Sequence, residues 1–275
     1  MNTRAPDIVR RAWVGVGMAL LLATPALGAQ SLERRVANAP DGTIRFSYAT
    51  KPGVYGNGRN RISWDCRDGN CRHSEIRDYY DDGQSDWDTP CDSGPVRVAL
   101  TKRAGRVADL RVYVGGAWRP GSGATDLGMV GTKDAAGYLL GLAARDESRA
   151  SEKAIFAAIL ADSVTVWPDL LKIAKQPDIS RKVRRSAVFW LGQAAGDAAT
   201  RGLVDLVDDR SGDREVRETA VFALSQRPHD EGVPALIRIA KQNPDPELRR
   251  KAIFWLGQSE DPRAISLFEE LLTRP

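Results

Sequence analysis

The chain has 275 residues, 42% of them apolar and 28% charged, with a formal net charge of +4. This is enough chain for a leader and two modest domains, each with a core of its own. The small charge excess argues against a dedicated nucleic-acid binder, which concentrates basic residues on one face.

The first expected element is an export signal. Arg4, Arg10 and Arg11 precede an apolar run from Ala12 to Ala23, and Pro25–Ala29 (PALGA) supplies small residues for cleavage. Cleavage after Ala29 predicts a periplasmic or secreted mature chain, with a formal charge of +2 after loss of three Arg and one Asp. The apolar run falls short of the ~20 residues of a membrane span, and Pro25 and Gly28 interrupt it, so no stable span is expected to remain.

Residues 31–130 read as a small antiparallel β domain. Thr43–Tyr48 (TIRFSY), Pro95–Leu100 (PVRVAL) and Val107–Val114 (VADLRVYV) alternate apolar and polar residues. Lys102–Gly105 is a short hairpin connection, and Asp41-Gly42, Pro52-Gly53 and Gly56–Gly58 are turns. Cys66, Cys71 and Cys91 are the disulfide candidates, because exported chains oxidise their thiols. Cys66 or Cys71 with Cys91 would staple a polar segment and leave one thiol over, though spacing does not choose the pair. A zinc site adding His73 is disfavoured by the cramped Cys-x-His spacing and by export. No metal or other cofactor is expected.

Between the strands, five Asp fall within the eleven residues from Asp78 to Asp88. A calcium site is one reading. Tyr80 and Thr89 stand where an EF-hand needs carboxylates, so a solvated loop is the simpler expectation. Tyr79, Tyr80, Trp87 and Trp118 form a candidate ligand loop for sugars or peptides, since their rings combine apolar area with polar handles; closing over a small core is the plainer role.

Residues 133–275 are dominated by a repeat. Val183–Gln193 (VRRSAVFWLGQ), Val216–Gln226 (VRETAVFALSQ) and Leu248–Gln258 (LRRKAIFWLGQ) start 33 and then 32 residues apart, and Phe156 stands 33 residues before Phe189. Such a period marks stacked helix pairs. Helices are expected at 135–144, 152–161, 167–176, 200–208, 232–242 and 263–273 as well as over the three copies, about nine in all and stacked as four pairs. Asp213 and Asp245-Pro246 provide helix starts. At ~100° per residue, Val183, Ala187, Trp190 and Leu191 share a core stripe, while Phe189 falls on another side beside Gln193. Phe156, Phe189, Phe222 and Phe254 with Gln193, Gln226 and Gln258 are therefore either seals between repeats or a partner-binding ladder. Arg184, Arg217 and Arg249 recur in phase, and with Asp213 and Asp245 suit a structural Arg–Asp ladder between neighbours, or a grip on an acidic partner. Glu269 and Glu270 are expected to give the last helix a polar outer side that ends the stack.

The pattern V-R-x-x-A-V-x-x-L-G, followed by the Val233–Ile237 (VPALI) helix, resembles the HEAT-like repeats, including the short type named after phycobilin lyases. With its F-W-L-G-Q variant it looks like exported bacterial HEAT-like repeat proteins. The resemblance implies an α-solenoid that scaffolds protein contacts and carries no chemistry to particular residues. The fold class expected is thus α+β in two domains, a small β domain followed by an all-α solenoid.

Catalytic motifs are missing: there is no G-x-S-x-G elbow, phosphate-cradling loop or H-E-x-x-H. The expected function is a non-catalytic scaffold in the cell envelope, holding a protein or peptide and no nucleic acid. A carbohydrate- or calcium-binding protein acting through the β domain is the alternative, and a lyase-like or hydrolytic enzyme the remote one.

Overall fold

The computed structural model describes residues 30–59, 61–64, 66–67, 70–71, 91–118, 123–145 and 148–273, with the backbone alone at 66, 67, 70 and 71. The expected leader lies outside these residues, as do His73, Tyr79, Tyr80, Trp87 and the Asp-rich segment. From Ser31 onward the chain forms one compact unit. Among the described residues no helix is long and apolar enough to cross a membrane.

The order is α1 (Leu32–Asn38), β1 (Gly42–Tyr48), the short strands β2 (Tyr55–Gly56), β3 (Ile62–Ser63), β4 (Cys66–Arg67) and β5 (Asn70–Cys71), then β6 (Val96–Arg103), β7 (Arg106–Val114) and β8 (Thr125–Met129). Among the described residues nine helices follow: α2 (Thr132–Arg145), α3 (Ala150–Ile159), α4 (Trp167–Lys175), α5 (Arg181–Gly192), α6 (Asp197–Asp208), α7 (Arg214–Ser225), α8 (His229–Gln242), α9 (Pro246–Gly257) and α10 (Pro262–Thr273).

The main sheet has the order β7-β6-β1-β8. Its three antiparallel strands are the ones whose alternation marks them in the sequence, and the register explains that alternation. Ile44, Leu100 and Leu110 lie in one row across the sheet, Phe46, Val98 and Val112 in the next, and Tyr48, Val96 and Val114 in a third. All nine are buried. The intervening rows, such as Arg45, Ala99 and Arg111, face the other way, because side chains alternate with a period of two. The β6–β7 hairpin closes on Ala104 and Gly105, both at positive φ (50° and 75°), the backbone a two-residue hairpin turn requires.

Two elements were not expected. Helix α1 is held by a long-range cap, the Leu32 amide donating to Asp134 Oδ2 at 3.0 Å, and by buried Lys102, whose ammonium donates to the carbonyls of Val36, Ala37 and Ala39. Strand β8 pairs parallel to β1, so the sheet is not wholly antiparallel.

The sheet is joined to the helices by packing and by hydrogen bonds. Phe46 meets Tyr138 of α2 edge to face at 6.3 Å. The buried Tyr48 hydroxyl donates to the carbonyl of Ala157 in α3 at 2.6 Å, and burial pushes that hydroxyl well above its ordinary pKa. Lys51 and Asp162 donate backbone amides across the same seam, to Leu160 and Ala49. The β region therefore abuts the first helix pair, and one buried core runs from Leu32 to Leu267.

In the solenoid α2 packs on α3, α4 on α5, α6 on α7 and α8 on α9, while α3, α5, α7 and α9 form a continuous row of neighbours. Local chemistry sets each start. Ser180 accepts from the Val183 amide, Asp213 from the amides of Glu215 and Val216, and Asp245, with Pro246 next in line, from Glu247. The stripe Val183, Ala187 and Leu191 is buried, and so are its counterparts Val216, Ala220 and Leu224, and Leu248, Ala252 and Leu256. The last helix departs from expectation. Glu270 pairs with Lys241, but Ile265 and Leu272 are exposed, so the outer side of α10 is not uniformly polar.

Candidate functional site

The row formed by α3, α5, α7 and α9 divides along its length into a charged half and an aromatic half. The first two turns of each helix hold the charges, and these pair from one repeat to the next: Glu152 with Lys182, Arg181 and Arg185 with Glu215, Arg214 with Glu247, and Glu218 with Lys251. Most of these are exposed and individually worth little. Their collective effect is to neutralise the edge of the row.

Beneath that edge lies the Arg–Asp ladder. Arg184 Nη2 is 3.5 Å from Asp213 Oδ2 and Arg217 Nη1 is 3.6 Å from Asp245 Oδ2. Each Asp also caps its own helix, so one carboxylate fixes both the start of a helix and its distance from the preceding repeat. Burial works to raise the Asp213 carboxyl, but the Val216 amide, the Arg181 guanidinium and the Glu215 amide hold it below its usual range. Arg249, which opens the last of the three copies, donates instead to the carbonyls of Asn243 and Pro244. The ladder is structural, and its guanidiniums are turned inward.

The C-terminal halves carry rings. Phe156 of α3 lies 5.6 Å from Trp190 of α5, and Trp190 lies 5.0 Å from Phe189. One stage along, Phe222 of α7 lies 5.0 Å from Trp255 of α9, and Trp255 lies 5.0 Å from Phe254. The four Phe thus split into two kinds. Phe156 and Phe222 are half-buried, each against the Trp of the next repeat, whereas Phe189 and Phe254 stand 38% and 58% exposed. The first pair seals the stack and the second faces solvent. Gln193, Gln226 and Gln258 follow at the helix ends and are exposed.

Two members of this strip were misplaced or missed in the sequence. Trp190 shares a helical arc with the core stripe, yet it is only half-buried and packs against Phe156. Trp64, just after β3, is 40% exposed and contacts both Phe156 (6.1 Å) and Trp190 (6.3 Å). It extends the strip into the β region. Being outside the repeat, it had no periodic signal by which to be found.

The remaining candidates sit apart from this face. Trp118 stacks on the outer face of the sheet, 4.8 Å from the Arg97 guanidinium and 5.4 Å from that of Arg45, with Tyr113 edge-on at 6.1 Å. It is a packing residue there. Buried Arg97 also donates to the carbonyls of Gly115 and Gly58, and this is where the Gly-rich segments find their purpose. A Cβ on Gly94 would meet Gly115 Cα at 2.6 Å, so the two backbones touch. Cys91 is a buried free thiol whose pKa burial raises, so the staple from Cys91 to Cys66 or Cys71 is not formed. The backbones of Cys66 and Cys71 are directly opposed across β4 and β5, a register that brings these two together and leaves Cys91 aside.

His229 lines a small pocket of about 130 Å³ with Gln226, Arg227 and Gln258. Its dominant neighbour is occupied: buried Arg227 donates to Thr200 Oγ1, to the carbonyls of Gly192, Ala194 and Gly196, and to Glu231. Among the described residues no group of three His, Cys, Asp or Glu is placed to hold a metal ion. The arrangement offers apolar and amide contact.

Residues 203–275 match the family of HEAT repeats, a span that runs from within α6 to the end of α10. This supports a HEAT-like repeat protein, and α4 with α5 continues the same phase upstream of the match. HEAT repeats suggest a repeat-based scaffold or protein-interaction role. No curated protein matches the chain.

Proposed function

We propose that this protein is a non-catalytic scaffold that holds an apolar segment of a partner protein or peptide against the aromatic strip Trp64–Phe156–Trp190–Phe189 and Phe222–Trp255–Phe254. The observation that carries the reading is the exposure of Phe189 and Phe254 on one row of helices whose charges are already paired between repeats, with exposed Trp64 of the β region against the same row. Large rings left in water beside self-neutralised charge favour a partner that brings apolar side chains and little charge. Gln193, Gln226 and Gln258, spaced one per repeat, offer amides to the partner's backbone.

The reading includes export to the cell envelope, supported by the basic, apolar and small-residue order of residues 1–29. It also takes the repeats to be of the short type, supported by their 32- and 33-residue spacing. The test is cross-linking in the native envelope with the wild type and with Phe189→Ser/Phe254→Ser. The expected result is a partner captured by the first and lost by the second at unchanged melting temperature. A partner retained by the variant would remove the strip as the binding face. Fractionation and N-terminal sequencing of the mature chain test export.

A further inference from the structure

The outer face of the sheet carries a second feature, unrelated to the aromatic strip. An open recess of about 880 Å³ lies along β6 and β7 and reaches the start of α3. Four guanidiniums line it: Arg103 and Arg106 flanking the hairpin turn, Arg111 in mid-strand and Arg149 just before α3.

Among the described residues, the carboxylates near the recess are engaged elsewhere. Asp109, in the wall, accepts from Lys153 Nζ at 2.7 Å. Although burial works to raise its carboxyl, that ammonium holds it below its usual range. Asp126 pairs with Arg45 at 2.9 Å. Asp41 accepts the Gly105 amide at the turn, and Glu152, in the first turn of α3, is turned to Lys182. Arg103, Arg106 and Arg149 have no ion-pair partner among the described residues and are exposed. The N-terminal end of α3 faces the same space, adding the positive end of a helix dipole. Thr43, Thr101 and Ser148 line the wall and supply hydroxyls.

Arg103, Arg106 and Arg149, without an ion-pair partner among the described residues, leave an excess of positive charge in a concave surface. Planar forks recognise carboxylate and phosphate oxygens in pairs. The geometry points to a binding site for a ligand bearing several oxyanion groups, phosphate or carboxylate, held by Arg103, Arg106, Arg111 and Arg149. Its volume of about 880 Å³ has room for more than a single ion, and Tyr113 also lines it.

The test is calorimetric titration of the mature chain in about 0.15 M NaCl, where non-specific attraction is screened. One arm uses inorganic tripolyphosphate and the other trigalacturonate. Binding of the first identifies phosphate as the ligand's anionic group, and binding of the second identifies a sugar acid. Arg106→Ser/Arg149→Ser is expected to weaken the active arm about tenfold or more, as the loss of two charge-assisted contacts requires. Arg201→Ser/Arg238→Ser removes the same charge from α6 and α8 and is expected to leave binding intact. Equal weakening by both pairs would reduce the effect to bulk charge and overturn the site. So would failure of the wild type to bind either probe.

Discussion

Trp255 lies 5.0 Å from Phe222 of the preceding repeat, and two repeats earlier Trp190 stands in the same relation to Phe156 at 5.6 Å. The Trp position alternates along the stack: Ala157, Trp190, Ala223, Trp255. An indole in every second repeat lies against the Phe of the preceding repeat and against the Phe beside it on its own helix. The aromatic strip therefore has a period of two repeats within a backbone whose period is one.

That division separates stability from recognition. Trp255→Ala is expected to lose about 2 to 3 kcal/mol in urea denaturation, since a half-buried indole leaves a cavity between α7 and α9. Phe254→Ser should stay within about 0.5 kcal/mol of the wild type, as exposed positions do. Equal losses at the two sites would show that Phe254 is a packing residue.

Arg227 joins the α5–α6 and α7–α8 connections through one buried guanidinium. Replacing it with Ala takes a donor from three carbonyls and from Glu231, which keeps the Thr200 hydroxyl, and is expected to cost about 3 kcal/mol or more. Arg201→Ala, which breaks an exposed pair with Asp197, should change stability by less than about 1 kcal/mol. Chemical denaturation of the two variants side by side decides this.

Gly192 and Gly257 occupy the same place in their repeats, but only one is confined. A Cβ on Gly192 would lie 2.9 Å from Ala223 Cβ and 3.2 Å from its Cα and carbonyl oxygen, whereas on Gly257 it would meet only Phe268 Cζ at 3.9 Å. Gly192→Ala is expected to destabilise by about 1 to 3 kcal/mol by forcing α5 from α7. Gly257→Ala should be neutral, or stabilising by up to about 1 kcal/mol from helix propensity. Melting temperatures moving in the same direction would contradict the difference in space.

Asp261 starts α10. The Arg263 guanidinium and the Arg263 amide hold its carboxyl at a pKa of about 2, with the guanidinium contacts at 2.9 and 2.7 Å. A depressed carboxylate contributes stability above its unfolded pKa of roughly 3.9 and loses it as pH falls toward 2. The wild type should therefore lose stability more steeply than Asp261→Asn between about pH 4 and 2, with no difference in slope above pH 5. Acid titration of helicity by circular dichroism reads both.

Cys91 is buried and burial raises its thiol pKa, so thiolate is scarce and shielded at neutral pH. A soluble disulfide reagent is expected to leave it unmodified in the native protein and to label it fully in guanidinium chloride, as peptide mapping would show. Rapid native labelling would place the thiol at the surface.

The repeat itself was legible because a helix pair that buries one stripe and both flanks must repeat its apolar positions, and Val183, Val216 and Leu248 do so in phase. The caps Asp213 and Asp245 were legible for the same local reason, as were β1, β6 and β7, whose alternation records one buried face. Seven-residue α1 and strand β8 were not, since the first depends on Lys102 and Asp134 far along the chain and the second on a parallel partner. By itself, then, the sequence determined the period, the helix starts and the positions that must be apolar, all of them consequences of local geometry. Only the tertiary structure decided which of four equivalent Phe residues are sealed and which face solvent, that Trp64 joins them, and that Arg103, Arg106 and Arg149 line one recess without an ion-pair partner among the described residues. Those outcomes depend on what a neighbouring repeat or strand presents across the gap, and no spacing along the chain encodes that.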